Sequence, residues 1–200
     1  MSLSILVVCT GNVCRSPLGA QLLAARLEQG GVSAFVRSAG TAALTGQPMT
    51  SEVAELSRRY GGDPRGHVAM QLTEGLIGDS DLVLTSSREH RAAVASLVPR
   101  AARHAYTLRE FARVVDFLDG DPDSAEALAE AATVEELIAL VSMSRGFAAP
   151  PLEPAGDDIV DPYRRSTEVY EEAGRVIDAA TMAIARAMST ASRFGSRGAA

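Results

Sequence analysis

Cys9 and Cys14 are the only thiols in this 200-residue chain, and they stand five apart in "VVCTGNVCRSPLGA". An apolar run ends at Cys9, and Pro17 suits the first turn of a following helix. A short loop between a strand and a helix N-terminus can turn successive backbone N–H groups inward. It then holds a tetrahedral oxyanion, aided by the helix dipole. Gly11 is expected to permit close backbone approach or a positive φ, and Asn12 is among the few residues that tolerate left-handed backbone. Cys9 at the base of such a cradle is placed to act as a thiolate nucleophile, with Ser16 able to donate a hydrogen bond to its sulfur. The planar fork of Arg15 can take two oxygens of one phosphate. Together these residues fit covalent phosphocysteine chemistry, with Thr10, Gly11, Asn12, Val13, Cys14 and Ser16 wrapping the bound group. Cys14 either packs in the loop or forms a disulfide with Cys9 that shields the nucleophile from over-oxidation.

Such a loop needs a sheet behind it, and the rest of the chain supplies one. Short apolar or β-branched runs predict strands at 3–8, 33–40, 81–86 and 104–108, separated by segments of helical period at 17–30, 50–60, 72–78 and 87–98. "REFARVVDFL" continues from the fourth strand as helix, and a stripe from Val169 to Ile184 predicts a last helix over about 167–192. This alternation predicts an α/β fold: a four-stranded parallel sheet with helices on both faces and the phosphate-binding loop after the first strand. Ligands in such sheets bind at the carboxyl ends of the strands, which is where Cys9 falls.

Asp116 to Glu136 carries eight acidic residues and no basic one, then a helical pattern over 124–144 yields to the Pro/Gly-rich "GFAAPPLEPAGDD". Residues 1–192 read as one domain with an acidic insertion at 117–158, either a surface excursion or a flap over the site. Residues 193–200 read as a disordered tail.

A formal net charge of −6 without a basic stripe, and the absence of Trp, argue against nucleic acid as a partner. No apolar run reaches the roughly 18 residues that span a bilayer, and the N-terminus lacks the basic region of a secretory signal. Two close thiols are no disulfide framework, and the expectation is a reducing cytoplasm. His67, His90 and His104 lack metal-ligand spacing and read as surface or structural residues; no metal or other cofactor is expected.

The loop sequence resembles the phosphate-binding loop of the low-molecular-weight protein tyrosine phosphatases. The likeness continues in "SAGT" (38–41), "HVAMQLTEGLIGDSDLVL" (67–84), "REHRAAV" (88–94) and "DPYRRS" (161–166), covering roughly 3–115 and 159–190. The resemblance implies Cys9 as nucleophile, Arg15 as phosphate-binding and transition-state residue, and Asn12 and Ser16 as residues that order the loop. It also implies Cys14 as redox partner and Asp161 as general acid. An acid poised over the loop can protonate the leaving oxygen and then deprotonate the attacking water. Pro162 restricts Asp161 to extended backbone, which gives its side chain a definite aim; Asp121-Pro122-Asp123 is a turn signal of the same form. Tyr163 either lines the pocket, stacking on a substrate ring, or simply packs.

Two departures bear on the substrate. Where many relatives carry an aromatic after "SAGT", this chain has Ala43 and Leu44, and Arg164 and Arg165 follow Tyr163 where some relatives have a second Tyr. The implied substrate is a phosphotyrosine-containing protein or another aryl phosphate. Two other functions fit the loop: an arsenate reductase using an external small thiol, and a non-catalytic phosphate-binding module. The sequence leaves the oligomeric state open.

Overall fold

The computed structural model describes residues 3–131 and 133–197. Four strands, β1 (Leu3–Cys9), β2 (Ala34–Gly40), β3 (Leu82–Thr85) and β4 (Ala105–Thr107), form one parallel sheet in the order β2-β1-β3-β4. The central strands are apolar on both faces, as a doubly covered sheet requires. Helices α1 (Arg15–Gln29), α2 (Ser51–Arg59), α3 (Glu74–Gly78), α4 (Arg88–Leu97), α5 (Leu108–Gly120), α6 (Pro122–Glu130), α7 (Val134–Ser144) and α8 (Thr167–Arg197), with short 3-10 helices at Pro99–Arg103 and Pro154–Asp157, complete the described structure.

The period-two alternation of β1 divides the core. Leu3, Ile5 and Val7 join Leu82, Leu84 and Tyr106 in a large cluster under α1, α5 and α8. Leu6 and Val8 face the other way, with Val83 and Ala105, toward Ile77 of α3 and Val94 of α4. Side-chain caps start most helices: Thr50, Thr73, Ser87, Thr107, Asp121 and Thr133 each accept a backbone N–H from the first turn of the next.

The expected single helix over 124–144 is two. Asp121 caps α6 with proline in its first turn, and Thr133 starts α7 through a reciprocal capping box with Glu136. The stretch is also no mere excursion. Leu128, Val134, Leu137, Val141 and Ala148 are buried in the same cluster as α5 and α8, and burying each leucine or valine contributes about 1.5–3 kcal/mol. Helix α8 reaches Arg197, five residues into the segment expected to be a disordered tail; residues 198–200 lie outside the described residues. Among the described residues, no helix is long and apolar enough to cross a membrane.

Candidate active site

The loop between β1 and α1 is shaped from outside by the segment that follows β2. The carbonyls of Cys9, Thr10, Gly11 and Val13 accept N–H bonds from Thr41 (2.9 Å), Ala42 (3.0 Å), Leu44 (3.0 Å) and Thr50 (3.0 Å). The carbonyl of Asn12 is bonded to His67 Nε2 at 2.8 Å. Each trans peptide points its N–H opposite its carbonyl, so with those carbonyls turned outward the N–H groups of residues 10–14 face the bowl. This is the nest that the spacing predicted. "SAGT" gains a physical reason here. A Cβ on Gly40 would lie 2.4 Å from Thr10 O and 3.0 Å from Asn12 N, so only glycine lets the outer segment approach the loop.

The left-handed residue is Asn12, at φ 56°, and not Gly11. Asn12 is fully buried and works as the loop's keystone: its amide nitrogen donates to Ser16 Oγ (2.9 Å) and Ser38 Oγ (2.9 Å), and its carbonyl oxygen accepts from Met70 N (2.8 Å). An asparagine both tolerates this backbone and brings three bonds to it. A Cβ on Gly11 would meet only ordinary contacts with Val13 and Leu44.

The sulfur of Cys9 lies 3.0 Å from Ser16 Oγ and 3.3 Å from the Asn12 N–H. Ser16 already accepts from Asn12, so its own proton serves either the sulfur or Ala39 O at 3.3 Å. A charged sulfur would draw that proton. Cys14, five residues on, is buried in the same loop. Burial pushes its thiol up to about 11, against the weaker pull of hydrogen bonds from Thr50 and Tyr170.

Arg15 opens α1 and is buried beneath the bowl. It donates to Ile159 O (3.1 Å) and Thr10 Oγ1 (3.4 Å) and pairs with Asp161 Oδ2 at 2.7 Å. Its Nε is buried without an acceptor among the described residues. Asp161 is half exposed, and its other oxygen accepts the Tyr163 N–H at 3.2 Å. The turn continues with Arg164 at φ 59°, its guanidinium 5.1 Å from the Tyr163 ring centre.

A cavity of about 140 Å³ is lined by Cys9, Thr10, Gly11, Val13, Cys14, Arg15, Ala42, Leu44, Asp161 and Tyr163. The structure therefore brings eight of the ten expected site residues to one cavity and puts Asn12 and Ser16 beneath it as braces. Leu44 forms the aliphatic wall with Ala42 rather than Ala43. None of the described residues of 117–158 lines the cavity. Among the described residues, no group of three His, Cys, Asp or Glu side chains converges as metal ligands would.

Two histidines belong to the site's support, which spacing alone did not reveal. His67 holds Asn12 O, as above. Buried His90 joins Thr10 Oγ1 (2.8 Å) to Ser87 Oγ (2.7 Å), and burial, with Arg15 nearby, lowers its pKa to about 4. A neutral imidazole thus bridges α4 to the hydroxyl that meets Arg15. These partners lie 55 and 80 residues from the loop, and no local pattern marks them.

The family model for low molecular weight phosphotyrosine protein phosphatases matches residues 4–123. The phosphatase Etp of Escherichia coli K12 is 42% identical over 96 residues, which span 48% of this chain and 62% of Etp. A protein-arginine-phosphatase of Bacillus subtilis is 36% identical over 110 residues, 54% of this chain and 72% of that one. Among solved structures, Vibrio vulnificus Wzb in complex with benzylphosphonate is similar at a TM-score of 0.65 and 27% identity, over 93% of this chain and 99% of that one. The alternating sheet, the cysteine nest after its first strand and these matches agree: the chain belongs to the low molecular weight phosphotyrosine protein phosphatase family.

Proposed function

We propose that the protein is a cysteine-dependent phosphomonoester hydrolase acting through phospho-Cys9, with a phosphotyrosine-containing protein or another aryl phosphate as substrate. The observation that carries this reading is the convergence of Cys9, Arg15 and Asp161 on one cavity floored by inward N–H groups. A phosphate dianion in the bowl competes with Asp161 for Arg15, and Arg15 Nε supplies a buried donor. The Cys9 thiolate attacks phosphorus, forming the S–P bond as the bridging O–P bond breaks. Asp161, as the acid, gives its proton to the departing oxygen. The Asp161 carboxylate then takes a proton from water, whose oxygen attacks phosphorus; the S–P bond breaks and inorganic phosphate leaves. Arg15 and the loop N–H groups hold the equatorial oxygens throughout, so the chemistry asks for no metal.

Leu44, Ala42 and Tyr163 give the cavity an apolar rim suited to an aryl group. Two cysteines confined to one loop are no disulfide framework, which supports a reducing, cytoplasmic setting. The test is hydrolysis of an aryl phosphate at mildly acidic pH with a chelator present. Activity in the wild type, lost in Cys9→Ser and reduced in Asp161→Asn, supports the reading. A folded but inactive wild type sinks it, and turnover of arsenate with a small thiol would then point to the reductase. Release of phosphate from phosphoarginine in preference to phosphotyrosine peptides would keep the chemistry and move the substrate.

A further inference from the structure

Asp161 is delivered by a segment that two helices grip from outside the phosphate loop. Arg88, the first residue of α4, donates its backbone N–H to Asp158 Oδ1 at 2.8 Å. Its guanidinium meets both carboxylate oxygens of Asp158 at 3.0–3.3 Å. From α5, Arg109 donates to Asp158 O at 3.2 Å, and Arg113 takes Asp157 with bonds of 3.2 and 2.9 Å. Arg113 also holds Ala148 O and Ala149 O at 3.3 and 2.8 Å, tying down the start of the same loop. Ile159 then donates to Ser86 O (2.8 Å) and offers its carbonyl to Arg15. Only Ile159 and Val160 separate the gripped Asp158 from Asp161. One turn of α4 therefore touches both halves of the site: His90 reaches Thr10 of the loop while Arg88 reaches the acid segment.

We propose that Arg88 and Asp158 are positioning residues for Asp161, setting its height over the phosphate loop without touching substrate. This inference rests on the phosphatase reading. Burial works against the Asp158 charge, yet the Arg88 bonds outweigh it and leave its carboxyl below the usual range, so the grip persists at mildly acidic pH. The pair is partly exposed, at 42% for Arg88 and 28% for Asp158. An ion pair at such a position adds little to stability, while its bidentate contact fixes the segment in place.

The test compares phenyl phosphate, whose leaving group needs the proton, with 4-nitrophenyl phosphate, which needs it far less. In Asp158→Asn and Arg88→Gln, kcat/KM, which reports the step that expels the leaving group, should fall by about tenfold or more for phenyl phosphate and by less than about threefold for the nitrophenyl ester. Competitive inhibition by inorganic phosphate should stay unchanged, because the loop keeps its shape. In an Asp161→Asn background, adding Asp158→Asn should cost nothing further. Equal losses on both esters, additive losses in the double variant, or no change at all would overturn the inference while wild-type turnover leaves the phosphatase reading intact. A wild type inactive on both esters would overturn the two together. Arg88→Lys, which keeps the charge but not the bidentate fork, should recover only part of the phenyl phosphate rate, a split that a purely structural role would not produce.

Discussion

The phosphate loop and the acid segment face each other across one cavity, yet they are built on opposite principles. The loop closes on itself: Asn12, Ser16 and Cys9 bond within eight residues, and the outer segment at 41–50 fastens its carbonyls. The acid segment has only short local turns, at 153–158 and at 161–165, and long arginines from α4 and α5 hold it in place. A nucleophile and its oxyanion donors need sub-ångström placement that backbone geometry supplies. A general acid must approach, protonate and release, and a side-chain-tethered segment suits that task.

The largest effect should come from the loop. Arg15→Lys keeps a positive charge but loses the fork, and kcat/KM should drop by roughly 10²–10³-fold on every aryl ester regardless of leaving group. A lysine variant close to wild type would show that bulk charge, not planar geometry, does the binding. Asp161→Asn should behave differently, lowering kcat/KM for phenyl phosphate by about 10²-fold or more and for 4-nitrophenyl phosphate much less. Uniform losses there would erase the functional contrast between the two regions.

Gly40→Ala probes the loop's outer brace. A Cβ would strike backbone at Thr10 and Asn12, so unfolding stability should fall by about 1–3 kcal/mol and phosphate binding should weaken. Denaturant titration together with phosphate inhibition reads both.

The smallest effect concerns His90, the link from α4 to the loop. Folded His90 stays neutral down to about pH 4, whereas an unfolded histidine gains its proton near 6.5. Between those values the unfolded chain binds more protons, so stability should rise with pH and be lost as pH falls from 6.5 to 4, by at most about 3 kcal/mol. The lowered pKa values of His67 and His104 act in the same direction. Urea titrations across that window should show a shallower slope in His90→Asn; an identical slope would mean that His90 titrates normally.

The same contrast explains what was legible in the sequence. Strand boundaries were readable to within two residues because apolar runs and capping residues are local signals, and the phosphate loop was readable because its chemistry sits within nine consecutive residues. The bracing histidines and the arginine grips were not, since His90 meets Thr10 across 80 residues and Arg88 meets Asp158 across 70. Such contacts are fixed by the packing of α4 and α5 on the sheet. The segment 117–158 misled for a related reason: its acidic residues advertised solvent, while Leu137 and Val141 of α7 were completing the core.

The central claim is that the Cys9 sulfur carries the phosphoryl group. Rapid acid quench of the Asp161→Asn variant turning over an aryl phosphate, followed by peptide mass spectrometry, tests it most directly. The account predicts phosphate on the peptide containing Cys9, bound to the sulfur and absent from Cys9→Ala under the same conditions. Steady hydrolysis by the wild type with no phosphorylated Cys9 at any quench time would contradict it.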